Sequence, residues 1–206
     1  MRIAAIDIGS NAARLLITEV TEEIRNEPVF SKLNLIRVPL RLGFDVFDQG
    51  LIPKQKIGMM LQTMKAFKHL MNAYEVKHVI ACATSAMRDA KNSDDIIRKV
   101  KLETDISIEV ISGDREAGLV FENHIAETLD KDHSYMYIDV GGGSTELSFF
   151  GNGRLTFKES FNIGTIRLLQ DVQVLQDGGN GFVGGFQTCR RRAGVARGPV
   201  RPRQIL

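Results

Sequence analysis

The chain has 206 residues, of which 43% are hydrophobic and 25% are charged, which is the composition of a soluble globular protein with one or two domains. It contains no run of about 18 apolar residues, and Met1-Arg2 leads directly into a predicted strand, so we expect neither a transmembrane helix nor a signal peptide. Its two cysteines, Cys82 and Cys189, lack metal-ligand spacing and favour a reducing, cytoplasmic location without a disulfide framework.

The net charge of +2 conceals a change of composition near the C-terminus. Residues 178–206 contain no Asp, Glu or Lys, but 6 arginines and 7 of the 19 glycines. The other 21 basic and 25 acidic residues give residues 1–177 a net charge of −4. Because this tail offers only Phe182 and Phe186 for base stacking, it does not indicate nucleic-acid binding.

The first half of the chain reads as a hairpin, a third strand, a loop and a long helix. The predicted bounds are residues 2–8 and 13–20 for the hairpin, Pro28–Leu40 for the strand, Arg41–Pro53 for the loop and Lys54–Tyr74 for the helix. The loop is interpreted either as the rim of a cleft or as a connection without chemistry. The methionines recur at helical spacing in the helix and are assigned to the core.

Alternating strands and helices follow. An apolar strand, Lys77–Ala83, precedes Thr84–Arg88, and Asn92-Ser93 is expected to cap a helix over Asp94–Glu103. A strand over Asp105–Ile111 and a helix from Arg115 to about residue 130 complete an α/β domain that we place at residues 1–125.

The most distinctive segment is Tyr135–Phe150, YMYIDVGGGSTELSFF, which predicts a second hairpin. Gly141, Gly142 and Gly143 lack Cβ atoms, so their backbone can approach a phosphate closely, and Ser144 adds a hydroxyl donor. Asp139 stands at the strand end, where a carboxylate suits a divalent cation. The alternative is a loose hairpin turn without a ligand.

A second copy of this pattern favours phosphate binding. In AAIDIGSNAARLLITEV, Asp7 aligns with Asp139, Gly9 with Gly141, and Ser10 with Gly142. Two copies of strand, Asp, turn and strand predict a duplicated domain. The second copy begins with the hairpin at 134–150, continues with a strand over Leu155–Phe161 and starts a helix at Gly164–Gln170.

Ligands of open α/β sheets bind beyond the strand ends, which draws attention to two further residues. Arg88 follows a buried strand and could bind phosphate bidentately, or could be a surface arginine paired with Asp89. Glu116 lies in the first turn of a helix after Ser112, where a role in helix capping competes with catalysis. No nucleophile elbow is present, so a carboxylate that activates water is the chemistry we expect.

The ordered segments AIDIGSNAARLLI, ATSAMRDAKN, ISGDREAGLVF and YIDVGGGSTELSFF resemble the successive motifs of the exopolyphosphatase and guanosine pentaphosphate phosphohydrolase family, within the actin, sugar kinase and Hsp70 superfamily. The resemblance covers about residues 1–170. It implies an α/β, actin-like fold with duplicated ribonuclease-H-like domains, the second of which starts at residue 126 and is expected to be truncated at about residue 170.

The resemblance also implies roles for individual residues. Glu116 would be the catalytic base. The substrate phosphates would be bound by Ser10, Asn11, Arg88, Gly141, Gly142, Gly143 and Ser144. Mg²⁺ would be associated with Asp139, Glu146 and Asp7. Arg115 stands where the family has a carboxylate, which alters the local charge but leaves Glu116 in place.

The expected function is hydrolysis of the terminal phosphoanhydride of inorganic polyphosphate or guanosine pentaphosphate, with Mg²⁺ as cofactor. A phosphate- or nucleotide-binding module without turnover is the alternative, since residues 171–206 do not continue the family pattern and their composition predicts disorder or a frameshift. A sugar kinase or Hsp70-like ATPase is a weaker reading, because no adenosine-binding motif is visible. No membrane partner is expected, and the edge of an incomplete second sheet could support a homodimer.

Overall fold

The computed structural model describes residues 1–22, 28–120, 130, 132–152 and 154–176. By their contacts, Met1–Gln170 form one compact unit and Asp171–Leu206 form a second. Residues 171–176 are the described part of the second unit and belong to the last helix. The rest of the predicted tail lies outside the described residues, as does the predicted domain boundary between residues 125 and 126.

The first unit contains two sheets. The five-stranded sheet has the order β3-β2-β1-β4-β5. Its strands are β1 (Arg2–Ile8), β2 (Ala13–Glu22), β3 (Pro28–Val38), β4 (His78–Ala83) and β5 (Ile108–Val110). The first three pair in antiparallel fashion, whereas β4 is parallel to both β1 and β5. The second sheet is an antiparallel meander of β6 (Tyr135–Val140), β7 (Thr145–Gly151) and β8 (Arg154–Phe161).

Six helices lie in the described residues, and they connect and cover these strands. They are α1 (Leu42–Gln49), α2 (Lys54–Ala73), α3 (Ser85–Asp89), α4 (Ser93–Thr104), α5 (Gly113–Val120) and α6 (Thr165–Gln176). Among the residues that the structure describes, none of the helices is long and apolar enough to cross a lipid bilayer.

The main hydrophobic core lies between the five-stranded sheet and helices α2 and α4. Met60, Met64 and Phe67 of α2 are almost fully buried, and they share this core with Ile6 and Leu15 of the sheet. The helical spacing of the methionines therefore gave the correct prediction, because flexible thioether side chains fill a core between a helix and a sheet.

The prediction of a loop over Arg41–Pro53 was wrong, because α1 occupies most of that segment. The glycines and the proline suggested irregular backbone, but they lie in or around a short helix. Leu42 and Val46 are buried on one side of α1, and Gly50 ends it in the left-handed conformation at φ 73°. Burial of this apolar side outweighs the weak helix propensity of Gly43.

The predicted cap at the start of α4 was also wrong in its detail. Asn92 precedes the helix, but its side chain makes no capping hydrogen bond. Instead, its amide oxygen accepts a hydrogen bond from the Ile52 N–H at 3.0 Å, and its amide nitrogen donates to the Ile52 carbonyl at 2.9 Å. Asn92 thus holds the connection between α1 and α2 against the start of α4.

The predicted duplication is visible in matching backbone hydrogen bonds. We call β1, β2, β3 and α1 the N-terminal repeat, and β6, β7, β8 and α6 the C-terminal repeat. Asp7 is paired with Arg14 across the first hairpin, and Asp139 is paired with Glu146 at the equivalent place in the second.

The turns and the helix starts match as well. The Gly9 N–H donates to the Ala12 carbonyl at 3.0 Å, and the Gly141 N–H donates to the Ser144 carbonyl at 2.9 Å. The second residue of α1 donates to the Ser10 carbonyl, as the second residue of α6 does to the Gly142 carbonyl. The two repeats therefore share turn geometry as well as strand order.

Candidate active site

A cavity of about 200 Å³ lies where the turns of the two repeats face each other. Both turns, the start of α3 and one residue of α5 contribute to its wall. The lining residues are Asp7, Gly9, Ser10, Asn11, Ala12, Arg14, Thr84, Ser85, Glu116, Asp139, Val140, Gly141, Gly142, Ser144 and Glu146. The structure thus brings together the predicted site residues except Arg88 and Gly143, which do not line this cavity.

The backbone amides of the two turns are suited to bind an anion. The carbonyls of Gly141 and Gly142 accept hydrogen bonds from the first two N–H groups of α6, at 3.0 and 2.9 Å. Within the described part of the chain, the N–H groups of Ser10, Asn11, Gly142 and Ser144 have no hydrogen-bond acceptor. Successive amides without acceptors in a glycine-rich turn form a concave site for phosphate oxygens.

Hydroxyl groups join the first turn to α3. The Ser10 and Ser85 hydroxyls lie 2.7 Å apart and are buried. Ser144 of the second turn is also buried, with 2% of its surface exposed. Gly143 packs against Ser85, since a Cβ atom at residue 143 would lie 2.3 Å from the Ser85 Oγ. Gly143 is therefore needed for close packing beside the cavity.

Glu116 points its carboxyl group into the cavity from the first turn of α5. Its Oε2 atom is buried and has no hydrogen-bond partner among the described residues, and the guanidinium of Arg88 lies 4.0 Å away. Burial raises the pKa of Glu116 to about 7, with a further increase from the negative charge of Glu146 and an opposing effect from Arg88. A carboxylate with this pKa can exchange a proton near neutral pH.

The capping alternative for Glu116 is not what the structure shows. The Ser112 hydroxyl accepts a hydrogen bond from the Arg115 N–H at 3.2 Å, so Ser112 caps α5 through the residue three positions on. Glu116 takes part in the helix through its backbone alone, by donating to the Ser112 carbonyl at 2.9 Å. Its side chain is free to serve the cavity.

Arg88 does not form the surface ion pair with Asp89 that the sequence offered as one alternative. Its guanidinium donates to the Ile111 carbonyl at 2.9 Å and faces Glu116, and it does not pair with Asp89. Asp89 pairs with Arg167 of α6 instead. Direct phosphate binding by Arg88 stays a prediction, while its contacts place it beside the carboxyl group of Glu116.

Four carboxylates and one guanidinium line the cavity. Asp7 forms an ion pair with Arg14 at 3.1 Å, and loss of hydration raises the pKa of Asp7, with Arg14 opposing the increase. Glu146 is buried, and its Oε1 atom accepts a hydrogen bond from the Ser160 hydroxyl at 2.8 Å. Asp139 is exposed at the end of β6.

Three or more metal-binding side chains do not converge on one point anywhere in the described ranges. A closed cage made only of protein ligands is thus not formed by these residues. Mg²⁺ commonly uses one or two carboxylates and completes its shell with water and phosphate oxygens. Asp7, Asp139 and Glu146 line the cavity and supply carboxylates of the kind that this coordination uses.

Two contributors to the cavity were missed in the sequence. Arg14 lies opposite Asp7 in the hairpin, and this pairing follows from the register once the turn is placed. Ser85 was part of a segment of interest, but its contact with Ser10 joins residues 75 positions apart. Local patterns do not carry that information.

The chain matches the model of the Ppx/GppA phosphatase family over residues 19–180. It is 35% identical over 175 residues to the bifunctional 3-dehydroquinate synthase/phosphatase of Fusobacterium nucleatum, covering 81% of this chain and 26% of that protein. It is 29% identical over 148 residues to exopolyphosphatase 1 of Mycobacterium tuberculosis, covering 72% of this chain and 42% of that protein.

Two solved structures have a similar fold. The Aquifex aeolicus member of the Ppx/GppA family has a TM-score of 0.68 and 30% identity, covering 82% of this chain and 54% of its own. An exopolyphosphatase from Cytophaga hutchinsonii has a TM-score of 0.73 and 29% identity, covering 93% and 64%. These structures confirm the predicted α/β fold class.

The chain therefore spans between about a quarter and two-fifths of the curated relatives and somewhat more than half of the solved ones. The family match over residues 19–180 includes Glu116 and the second turn, and it begins after the first turn. By the match over most of its length and by these relatives, the chain belongs to the Ppx/GppA phosphatase family.

Proposed function

We propose that this chain hydrolyses the terminal phosphoanhydride of inorganic polyphosphate or guanosine pentaphosphate, with Glu116 as the general base. The observation that carries the proposal is the position of Glu116. Its buried Oε2 accepts no hydrogen bond from the described residues, and it lies in the same cavity as the backbone amides of both turns. A base and an anion-binding surface in one cavity are the two components that phosphoryl transfer to water requires.

The terminal phosphate binds to the amides of both turns, with the Ser10 and Ser144 side chains beside it. Arg14 contributes positive charge at the cavity wall. Glu116 accepts a proton from a water molecule as that water attacks the terminal phosphorus. The phosphoanhydride bond then breaks, and the remainder of the substrate leaves with the bridging oxygen. Arg88, beside the Glu116 carboxyl group, orients it and favours its ionised form.

The charge of this cavity would be balanced by a divalent cation. Four carboxylates against one guanidinium would repel a polyanionic substrate. Asp7, Asp139 and Glu146 are the residues that would hold Mg²⁺, directly or through water. When bound, Mg²⁺ neutralises charge on the phosphate oxygens in the transition state.

The test is release of inorganic phosphate from long-chain polyphosphate and, separately, from guanosine pentaphosphate, each with and without Mg²⁺. We expect Mg²⁺-dependent release by the native chain and a loss of about 10²- to 10⁴-fold in Glu116→Gln, the range for removal of a general base. The substrate with the higher kcat/KM identifies the class.

A folded chain that binds tripolyphosphate but releases no phosphate from either substrate would contradict the proposed hydrolase activity. It would support the non-catalytic binding module instead.

A further inference from the structure

The side chain of Arg167, in the first turn of α6, contacts three other elements beside the cavity. Its Nε donates to the Gly143 carbonyl at 2.6 Å, and its Nη2 donates to Asp89 at the end of α3. Its guanidinium carbon lies 3.8 Å from the centre of the Phe47 ring in α1. Only 22% of the side chain is exposed, so these contacts are partly shielded from water.

The Gly143 carbonyl is part of the turn that follows β6, which we call the glycine turn (Gly141–Ser144). The carbonyls of Gly141 and Gly142 are bound by backbone N–H groups of α6, and the Gly143 carbonyl is bound by Arg167. Three successive carbonyls are thus directed toward α6. Because peptide planes are rigid, fixing the carbonyls also fixes the direction of the N–H groups on the opposite side.

The contact with Asp89 joins this turn to the first sheet. Asp89 ends the helix that Ser85 begins, and Ser85 is bonded to Ser10 of the other turn. A guanidinium can bind two acceptors and stack on a ring at the same time, which an ammonium group cannot do. Arg167 therefore connects the glycine turn to the helix that positions the first turn.

We propose that Arg167 is a positioning residue that holds the glycine turn in its phosphate-binding geometry against α3. It touches neither phosphate nor the attacking water, and it is not among the residues that line the cavity. Its effect on phosphate binding rests on the function proposed above, but its effect on the glycine turn does not.

The test uses the full chain in the Glu116→Gln background, in which turnover is blocked. The variants are Arg167→Met, Arg167→Lys and Asp89→Asn. Arg98→Met is the matched control, because Arg98 also pairs with an aspartate in the described region but does so on the exposed surface of α4. Tripolyphosphate affinity is measured by titration calorimetry, and exchange of the Gly141 and Ile166 amide hydrogens is measured by NMR.

We expect Arg167→Met to raise the Kd for tripolyphosphate at least tenfold and to speed exchange of both amides at least tenfold. Arg167→Lys should behave similarly although it keeps the charge, and Asp89→Asn should give a smaller change in the same direction. Arg98→Met should change neither quantity. A folded Arg167→Met or Asp89→Asn protein with native exchange at both amides would overturn the proposal.

The lysine variant separates positioning from simple charge. Native affinity and native exchange in Arg167→Lys would show that a positive charge is sufficient, and would also overturn the proposal. If Arg167→Met does not fold, the comparison of Asp89→Asn with Arg98→Met decides the result. Exchange could be accelerated in Arg167→Met while none of the proteins, including the Glu116→Gln parent, binds tripolyphosphate. That result would support the role of Arg167 and contradict the proposed function.

Discussion

Glu116 lines the cavity in an electrostatic environment that opposes its ionisation. Helix α5 approaches β8 so closely that a Cβ atom at Gly113 would lie 2.4 Å from the Ser160 Oγ. This approach brings Glu116 near the buried carboxyl group of Glu146, whose charge contributes to the raised pKa of Glu116. Because the fold raises the pKa of this carboxyl group, its ionised form accepts a proton near neutral pH more readily than an ordinary glutamate does.

The same environment predicts a pH-dependent gain of stability in Glu116→Gln. The pKa of Glu116 is about 7 in the folded state and 4.5 in the unfolded reference, so the folded state binds the proton more tightly. Ionisation therefore costs the native protein stability as pH rises from 4.5 through 7, whereas glutamine does not ionise. We expect Glu116→Gln to be more stable by roughly 1 to 3 kcal/mol at pH 8.

That advantage should disappear at pH 4.5, where the native Glu116 is already protonated. Urea denaturation of both proteins at the two pH values measures it. Equal stability of the two proteins at pH 8 would contradict a raised pKa of Glu116 in the folded state.

At the scale of elements, the start of α6 and the glycine turn form one packed unit. Gly164, just before α6, is buried, and a Cβ atom there would lie 2.4 Å from the backbone of Gly142 and Gly143. Such contacts are with main-chain atoms, which cannot move aside as a flexible side chain can. The absence of a side chain at residue 164 is thus required for the geometry of the glycine turn.

Gly164→Ala should therefore destabilise the protein by about 1 to 3 kcal/mol, the range for overpacking, and weaken tripolyphosphate binding. Gly58→Ala is the control, because Gly58 lies on the exposed side of α2 with nothing within 4 Å of an added Cβ. That control should gain roughly 0.5 to 1 kcal/mol from improved helix propensity. Thermal and urea unfolding would distinguish the two, and a Gly164→Ala protein as stable as Gly58→Ala would refute the packing argument.

At the scale of the whole unit, the two repeats meet through equivalent helices. When the second residues of α1 and α6 are aligned, Phe44 corresponds to Arg167 and Phe47 to Gln170. Arg167 stacks on Phe47, and Gln170 donates a hydrogen bond to the Phe44 carbonyl at 2.6 Å. The two contacts therefore join equivalent positions of the two helices, with the roles of the repeats exchanged.

The sequence predicted most of this arrangement where the signals are local. Strand, Asp and Gly patterns located both hairpins and their alignment, and the ordered motifs drew attention to Glu116, which lines the cavity. Helix α1 was missed because its stability comes from burial of Leu42 and Val46 rather than from propensity. The partners of Arg88 and Asp89 could not be predicted, since they are set by the packing of α5 and α6 against α3.

The most direct test of the central claim is the pH dependence of kcat for phosphate release by the native chain and by Glu116→Gln. With the pKa of Glu116 at about 7, the base is protonated at lower pH, so kcat should rise about tenfold per pH unit below 7 and level off above it. Glu116→Gln should be slower by about 10²- to 10⁴-fold on the plateau and should lack this inflection. The same profile and the same plateau in both proteins would contradict Glu116 as the base.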